Sequence, residues 1–146
     1  MCICSFFSNS WWIRWWGRGI FYTNGQNLSI GNVGNFTDGY AVQKYKNIKS
    51  TGGQGSDASG TFADIDFPMF RLADAYLMYA ELAARGQGST TQAATYVNTL
   101  RTRASSSSVV SSAITLDFVL DERARELYWE GHRRQDLIRF GKYTGS

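Results

Sequence analysis

The stretch from Thr115 to Phe140 constrains the fold more than any other part of the chain. Thr115 is suited to cap the N-terminus of a helix, and Asp117 places a negative charge in the first turn, where the helix dipole favours it. Apolar residues then recur at steps of three and four, which is the spacing of one helix face; they are Leu116, Val119, Leu120, Leu127 and Tyr128. The pattern predicts an α-helix that buries one face.

Two charged residues interrupt this apolar face. Arg123 lies three residues after Leu120 and four before Leu127, and Glu130 follows three residues after Leu127. A charge that points into a core is costly unless a partner and hydrogen bonds compensate it. The helix is therefore expected to pack against other charged segments as well as apolar ones.

The alternative is a solvated helix with ordinary ion pairs, such as Asp121 or Glu122 with Arg125. That alternative leaves Arg123 unexplained, so the pattern favours a partly buried ionic network. We expect Glu81, a lone charge in an apolar helix, to pair with Arg123 or a neighbouring arginine. The predicted network consists of charged residues on both segments: Glu81, Asp121, Glu122, Arg123, Arg125, Glu126, Glu130, Arg133 and Asp136.

The same stretch resembles a known family. Residues 120–142 read LDERARELYWEGHRRQDLIRFGK, which is similar to the C-terminal signature of the SusD/RagB family of nutrient-binding outer-membrane lipoproteins of Bacteroidetes. The resemblance extends upstream through the Gly39–Lys44 segment and the helix that contains Glu81, and it begins near Ile20. It implies that the chain is a fragment from the late part of that fold.

A helical hairpin is predicted upstream of the signature. Phe67-Pro68 is expected to open the first helix, because proline is tolerated in the first turn. Gly86-Gln87-Gly88 ends it, and Ser89 with Gln92 forms a capping box for the next helix. A loop this short makes the helices antiparallel, like one tetratricopeptide-like unit. The predicted fold is mainly α, with this hairpin, a C-terminal signature helix and an extended, irregular N-terminal third.

Three segments follow from composition. Residues 1–19 hold four of the five tryptophans, both cysteines and no acidic residue. They could form an interfacial membrane segment or an aromatic platform for sugars, but the interpretation favoured is a non-native or disordered segment. Residues 20–66 are loop-rich, with a turn at Asn24-Gly25, and the resemblance implies that they wrap over the helices. Residues 67–146 form the helical region, truncated relative to the family.

Catalytic and metal-binding interpretations find little support. His132 is the only histidine, so neither a triad nor a multi-histidine metal site can be built on it. Carboxylates do occur in pairs along the signature stretch, but each has an arginine within one helical turn. That neighbour favours an ionised, structural group over a general acid. We predict no enzyme activity, no cofactor and no metal. The acidic residues near Gly60 fit no calcium-binding loop.

Several partners are also disfavoured. The net charge of +3 comes without a run of basic residues, so nothing indicates nucleic-acid binding. The sequence contains no stretch of about 18 uncharged apolar residues, so no membrane-spanning helix is predicted. Cys2 and Cys4 are too close together to form a disulfide framework. Because Cys2 follows Met1 directly, a lipid anchor of the family type is expected to be missing from this chain.

The resemblance implies a function for the full-length parent. Such proteins bind oligosaccharides at the cell surface, without catalysis, and deliver them to a TonB-dependent SusC-like transporter in the outer membrane. The family's sugar site lies mainly outside the matched region, so no residue here is assigned as a sugar contact. The alternative is a tetratricopeptide-like module that binds a protein and no sugar.

Overall fold

The fold is described here from a computed structural model. The structure describes residues 21–42, 44–45, 47–49, 51–57, 59 and 61–144. The described residues fall into two separate units, the first ending at Met69 and the second beginning at Phe70. The predictions made for residues 1–19 lie outside the described residues. The predicted division at residue 66 and the wrapping of residues 20–66 over the helices stay predictions.

The first unit is built from turns and one small sheet. Strands β1 (Phe21–Tyr22) and β2 (Ala41–Val42) are antiparallel, with Phe21 opposite Val42. The predicted turn at Asn24-Gly25 forms, since the Gln26 amide donates to the Thr23 carbonyl at 3.1 Å. Gly25 has a φ of 71°, a conformation that glycine adopts readily. The strand before the turn pairs with Ala41–Val42, so a short strand follows Gly39.

Two aspartates organise the loops of this unit. The Asp38 carboxylate accepts hydrogen bonds from the Gly31 and Asn32 amides, each at 3.0 Å. These bonds, with the Asn32 amide as the largest contributor, lower the pKa of Asp38. Further along the same unit, hydrogen bonds from Ser59 and from backbone amides lower the pKa of Asp57 to about 2. Both carboxylates therefore act as ionised anchors for backbone N–H groups.

The second unit begins with the predicted hairpin. Helix α1 spans Leu72–Ala84 and helix α2 spans Thr90–Arg103. The Ser89 hydroxyl accepts from the Gln92 amide at 3.2 Å, as the capping pattern predicts. The predicted start of α1 at Phe67-Pro68 is wrong, because Arg71 is extended and the helix begins only after it.

The signature consists of two helices joined by a turn. Helix α3 spans Leu116–Glu126 and helix α4 spans Arg133–Arg139. Thr115 caps α3 as predicted, accepting from the Phe118 amide at 3.2 Å. Glu130 therefore lies in the turn between the helices and does not continue the apolar row of α3.

The core lies where α1 packs on α2 and α3. Small residues of α1 let the helices approach closely, while Leu77, Val97 and Val119 are fully buried between them. Tyr96 stacks on Tyr76 with ring centres 4.5 Å apart, which adds an aromatic contact beside the core. The mainly helical fold predicted from the sequence is confirmed.

Candidate functional site

Arg123 joins three helices. The residue as a whole is only 2% exposed. Nη1 donates to Oδ1 of Asp74 on α1 at 2.8 Å, and Nε lies 2.9 Å from Oδ2 of Asp136 on α4. The charge that interrupts the apolar face of α3 therefore has one carboxylate partner on each neighbouring helix. Such pairing offsets part of the cost of removing the guanidinium from water.

Arg71 forms a second junction, at the turn between α3 and α4. It donates to both carboxylate oxygens of Glu130, from Nε at 2.6 Å and from Nη2 at 2.8 Å. It also binds Oε1 of Glu126 at 2.7 Å and the Glu126 carbonyl at 2.6 Å. Burial alone would lower the pKa of Arg71, but its hydrogen bonds to Glu130 and Glu126 outweigh that effect and raise the pKa.

Arg103 of α2 reaches the same Glu126 carboxylate, at 2.5 Å. Glu126 is thus shared between an arginine before α1 and an arginine at the end of α2. Since Glu126 is the last residue of α3, its carbonyl is one of those that the helix leaves without an internal partner, and Arg71 satisfies it.

Glu81 forms a third junction. It accepts from Arg85, the residue directly after α1, and from Arg139 of α4, with Nη2 of Arg139 at 2.7 Å from Oε2. Glu81 therefore pairs with an arginine of the signature stretch, as one of the two expectations had it, but that arginine is Arg139 and not Arg123. The signature folds as two helices, and α4 brings Arg139 to Glu81 while Arg123 is occupied by Asp74 and Asp136.

Burial alone would raise the pKa of Glu81. The hydrogen bonds from Arg139 and Arg85 outweigh that effect and hold the pKa below its usual value. Glu81 also raises the pKa of Arg139. Glu81 and Arg139 are therefore both ionised near neutral pH.

Glu122 is the most completely buried carboxylate, at 0% exposure. It accepts from Nη1 of Arg101 on α2 at 2.8 Å and from Nη1 of Arg125 at 2.9 Å. Asp121, in contrast, is exposed and only approaches Arg125, at 3.6 Å. The Asp121–Arg125 pair is therefore an ordinary surface ion pair, of the kind expected for a solvated helix.

Arg133 binds backbone instead of a carboxylate. Its Nη1 donates to the Leu120 carbonyl at 3.1 Å. Burial is the largest influence on this side chain and lowers the pKa of Arg133. The hydrogen bond ties the first residue of α4 back to α3.

Every residue of the predicted network can now be placed. Eight of them contact a charged or carbonyl partner at hydrogen-bonding distance: Glu81, Glu122, Arg123, Arg125, Glu126, Glu130, Arg133 and Asp136. Sequence reasoning missed Arg139 of the signature itself and the partners from other segments, namely Arg71, Asp74, Arg101 and Arg103. Arg101 and Arg103 carried a weak signal, since basic residues in a last helical turn also suit the helix dipole without any partner. That the network holds the fold together remains a proposal.

The arrangement suits structure more than chemistry. Each buried carboxylate described above has an arginine within hydrogen-bonding distance, which stabilises its charged form. His132 is half-buried at the N-terminus of α4. Within the described ranges, no group of three or more His, Cys, Asp or Glu side chains is placed to hold a metal ion.

The exposed aromatic side chains include Phe36 and Trp129, which the sequence analysis did not single out. Phe36 is 98% exposed on the loop that Asp38 organises. Trp129 is 59% exposed in the turn between α3 and α4, where its φ is 60°. The tryptophans proposed as a sugar platform, within residues 1–19, lie outside the described residues.

None of the helices that the structure describes has the length and apolar character needed to cross a membrane.

The sequence of this chain is similar to known proteins. The family model described as the SusD family matches residues 15–146, so the match begins before the Ile20 expected from the sequence and takes in part of the Trp-rich segment. The chain is 44% identical over 112 residues to the starch-binding protein SusD of Bacteroides thetaiotaomicron, covering 77% of this chain and 19% of that protein. It is 42% identical over 79 residues to a SusD-like protein of Formosa agariphila, covering 50% of this chain and 15% of that protein.

The chain thus spans less than a fifth of the length of either relative. Because the family match runs through the hairpin, both signature helices and the arginine–carboxylate junctions between them, the chain belongs to the SusD family.

Proposed function

We propose that this chain is part of a non-catalytic, glycan-binding protein of the bacterial cell surface, which passes oligosaccharides to a TonB-dependent SusC-like transporter in the outer membrane. The observation that carries the proposal is the 44% identity to a protein named for starch binding, within a family match over residues 15–146. That match supports glycan binding in general; the transporter as recipient and the lipid-anchored location are the finer parts of the proposal.

Members of the SusD family are non-catalytic binding proteins, and the chain is accordingly not an enzyme. The chemistry of the junctions agrees with this. An arginine at hydrogen-bonding distance favours the charged form of a carboxylate over the protonated form that a general acid needs. Nothing in the family match or in the two relatives favours the alternative of a protein-binding module without sugar affinity.

We further propose that the ionic network is architectural. Its junctions connect segments far apart in sequence: Arg71 reaches Glu130 across 59 positions, and Arg139 reaches Glu81 across 58. A network of this kind specifies one arrangement of the helices, because displacing any helix leaves a buried charge without its partner. The helical unit would then act as a rigid support for the glycan-binding protein.

Affinity electrophoresis tests the proposed function. The chain is run through native gels that contain soluble starch, dextran, xylan or pectin, beside gels without polysaccharide. Retardation in at least one polysaccharide gel, with a dissociation constant confirmed by calorimetry on a soluble oligosaccharide of the same type, is the expected result. Migration that is unchanged in every gel contradicts glycan binding by this chain.

The transporter part of the proposal has its own test. The chain, carrying an affinity tag, is expressed in cells that also produce a SusC-like transporter and is purified from detergent-solubilised outer membranes. Co-purification of the transporter is expected. Recovery of the tagged chain without any transporter contradicts delivery to that partner, whatever the gels show.

A further inference from the structure

Asn24 and Gly25 occupy the two central positions of the turn that follows β1. The turn closes through the hydrogen bond from the Gln26 amide to the Thr23 carbonyl, which leaves the peptide between Asn24 and Gly25 outside it. Within the part of the chain that the structure describes, neither the Asn24 side chain nor the Gly25 amide has a hydrogen-bond partner. A Cβ built on Gly25 would meet no atom within 4 Å. The central peptide of the turn is therefore able to rotate at little cost.

This local geometry allows the backbone to react with the asparagine side chain. Once a base has removed its proton, the Gly25 amide nitrogen can attack Cγ of Asn24, and a new C–N bond closes a five-membered cyclic imide. The Cγ–Nδ2 bond breaks, and the nitrogen leaves as ammonia after taking up a proton from water. Solvent water then opens one of the two imide C–N bonds, which yields aspartate or isoaspartate. The net change is the uptake of one water molecule and the release of one ammonia molecule.

The comparable pair Asp38–Gly39 is held in place. The Asp38 carboxylate accepts from the Gly31 and Asn32 amides, and the Gly39 amide donates to the Asn27 carbonyl at 2.8 Å. These bonds to the carboxylate, with the Asn32 amide foremost, lower the pKa of Asp38 and keep it ionised. An ionised carboxylate resists attack by a nucleophile, and the nitrogen that would attack is already engaged. The fold therefore protects Asp38–Gly39 and leaves Asn24–Gly25 open to reaction.

We infer that Asn24 is a site of spontaneous deamidation, at which the folded chain converts an amide into a carboxylate without an enzyme. Asparagine is among the residues that such chemistry removes first. Each event replaces a neutral side chain by an anion and so lowers the formal net charge of +3 by one. Isoaspartate also adds a methylene to the main chain, three positions before Asn27, whose amide and carbonyl bind Thr37 and Gly39.

Peptide mass spectrometry tests the inference on the unsubstituted chain. The chain is kept in mildly alkaline buffer, sampled over time and digested with pepsin in acid, where the reaction is slow. The peptide that contains Asn24 is expected to gain the mass that separates a carboxyl from an amide, and to gain it faster as the pH rises. Labelling by an isoaspartyl methyltransferase should mark residue 24 and not Asp38. Asn24→Gln should abolish both signals, since the longer side chain cannot close a five-membered ring.

Phe36→Gly supplies a matched comparison within the same unit. Phe36 is 98% exposed, so its replacement removes little packing while it places a glycine after Asn35. The Asn35 side chain is held at both ends, with Nδ2 donating to Asp38 and Oδ1 accepting from the Thr37 hydroxyl, each at 3.1 Å. In the folded variant Asn24 should react about 10-fold faster than Asn35, because two hydrogen bonds of ordinary strength must break before Asn35 can cyclise. In concentrated urea the two sites should react at similar rates.

Two outcomes overturn the inference. The first is an Asn24 peptide that keeps its amide in the folded chain but loses it when the chain is unfolded in urea, which would show that the turn protects Asn24. The second is an equal rate at Asn24 and Asn35 in the folded Phe36→Gly variant, which would show that the hydrogen bonds do not select the site. Both results leave the proposed glycan binding unaffected, because the assay contains no sugar.

Discussion

Arg71 and Glu130 form a two-pronged ion pair between the start of the hairpin and the turn of the signature. Nε of Arg71 lies 2.6 Å from Oε2 of Glu130, and Nη2 lies 2.8 Å from Oε1. Arg71 precedes α1 by one residue, while Glu130 lies between α3 and α4. The pair therefore connects the segment before α1 to the turn between α3 and α4.

Replacing Arg71 is expected to destabilise the chain more than loss of a surface pair would. Arg71→Ala removes the hydrogen bonds that Arg71 donates to Glu130 and Glu126 and should lower the free energy of unfolding by about 2–3 kcal/mol. Arg71→Lys should recover only part of this, because an ammonium group cannot form the planar fork. Urea denaturation measures both. Values for the two variants within about 0.5 kcal/mol of the unsubstituted chain would contradict the predicted role.

Arg123 provides a test that separates charge pairing from packing. Arg123→Ala leaves a cavity as well as two carboxylates without this partner, and should cost about 3–5 kcal/mol. Arg123→Met fills much of the same volume and should cost less than Arg123→Ala. Thermal melts of both variants are the measurement. Near-zero effects from both would show that Arg123 does not anchor the helices.

The pH dependence of stability should carry a contribution from Glu81. Its pKa in the folded chain lies below the ordinary value of 4.5. The folded state therefore holds the charged form more strongly than the unfolded state does, and the contribution is complete above 4.5 and lost as pH falls through the lower folded pKa. Removing the Glu81 carboxyl should therefore lower the free energy of unfolding less at acid pH than at neutral pH.

The measurement compares urea midpoints of the unsubstituted chain and Glu81→Gln at about pH 6 and about pH 3. The gap between the two proteins is expected to narrow at the lower pH. Asp117→Asn is the matched control, because Asp117 is exposed and approaches Lys142 only at 3.7 Å. A gap for Glu81→Gln that stays constant with pH would contradict the prediction.

Trp129 should reveal the strain of its backbone through a pair of small substitutions. Trp129→Gly is expected to be more stable than Trp129→Ala by about 1 kcal/mol, because alanine resists a positive φ and glycine does not. The order should reverse inside a helix, where Ala75→Gly costs about 1 kcal/mol. Chemical denaturation of the three variants checks this. Equal stability of Trp129→Gly and Trp129→Ala would argue against the left-handed turn.

The outer face of α1 should govern how readily the chain associates. Leu72, Met78 and Leu82 are exposed on it, at 65%, 52% and 45%. Exposed apolar stripes of this kind favour association and binding of hydrophobic dyes. Replacing Met78 and Leu82 by Gln should lower dye fluorescence and light scattering without changing the melting temperature. Undiminished dye binding would show that the hydrophobic surface responsible for association lies elsewhere.

The sequence by itself determined the elements that depend on local chemistry. Ser89 and Thr115 cap α2 and α3 because a hydroxyl can reach an amide three residues later, and Asn24-Gly25 turns because glycine accepts a positive φ. It also indicated that Arg123 needs a partner, since its position in an apolar row is visible in the spacing alone. Family membership follows from the same letters.

Only the tertiary structure decided which charges meet. A lone buried arginine signals that a carboxylate must be near it, but the identity of that carboxylate depends on how the helices are placed. The break after Glu126 turns α4 back on the hairpin, so Arg139 reaches Glu81, and Asp74 and Asp136 reach Arg123. Coulomb attraction is nondirectional and long-ranged compared with a cap, so spacing along the chain cannot choose among several arginines.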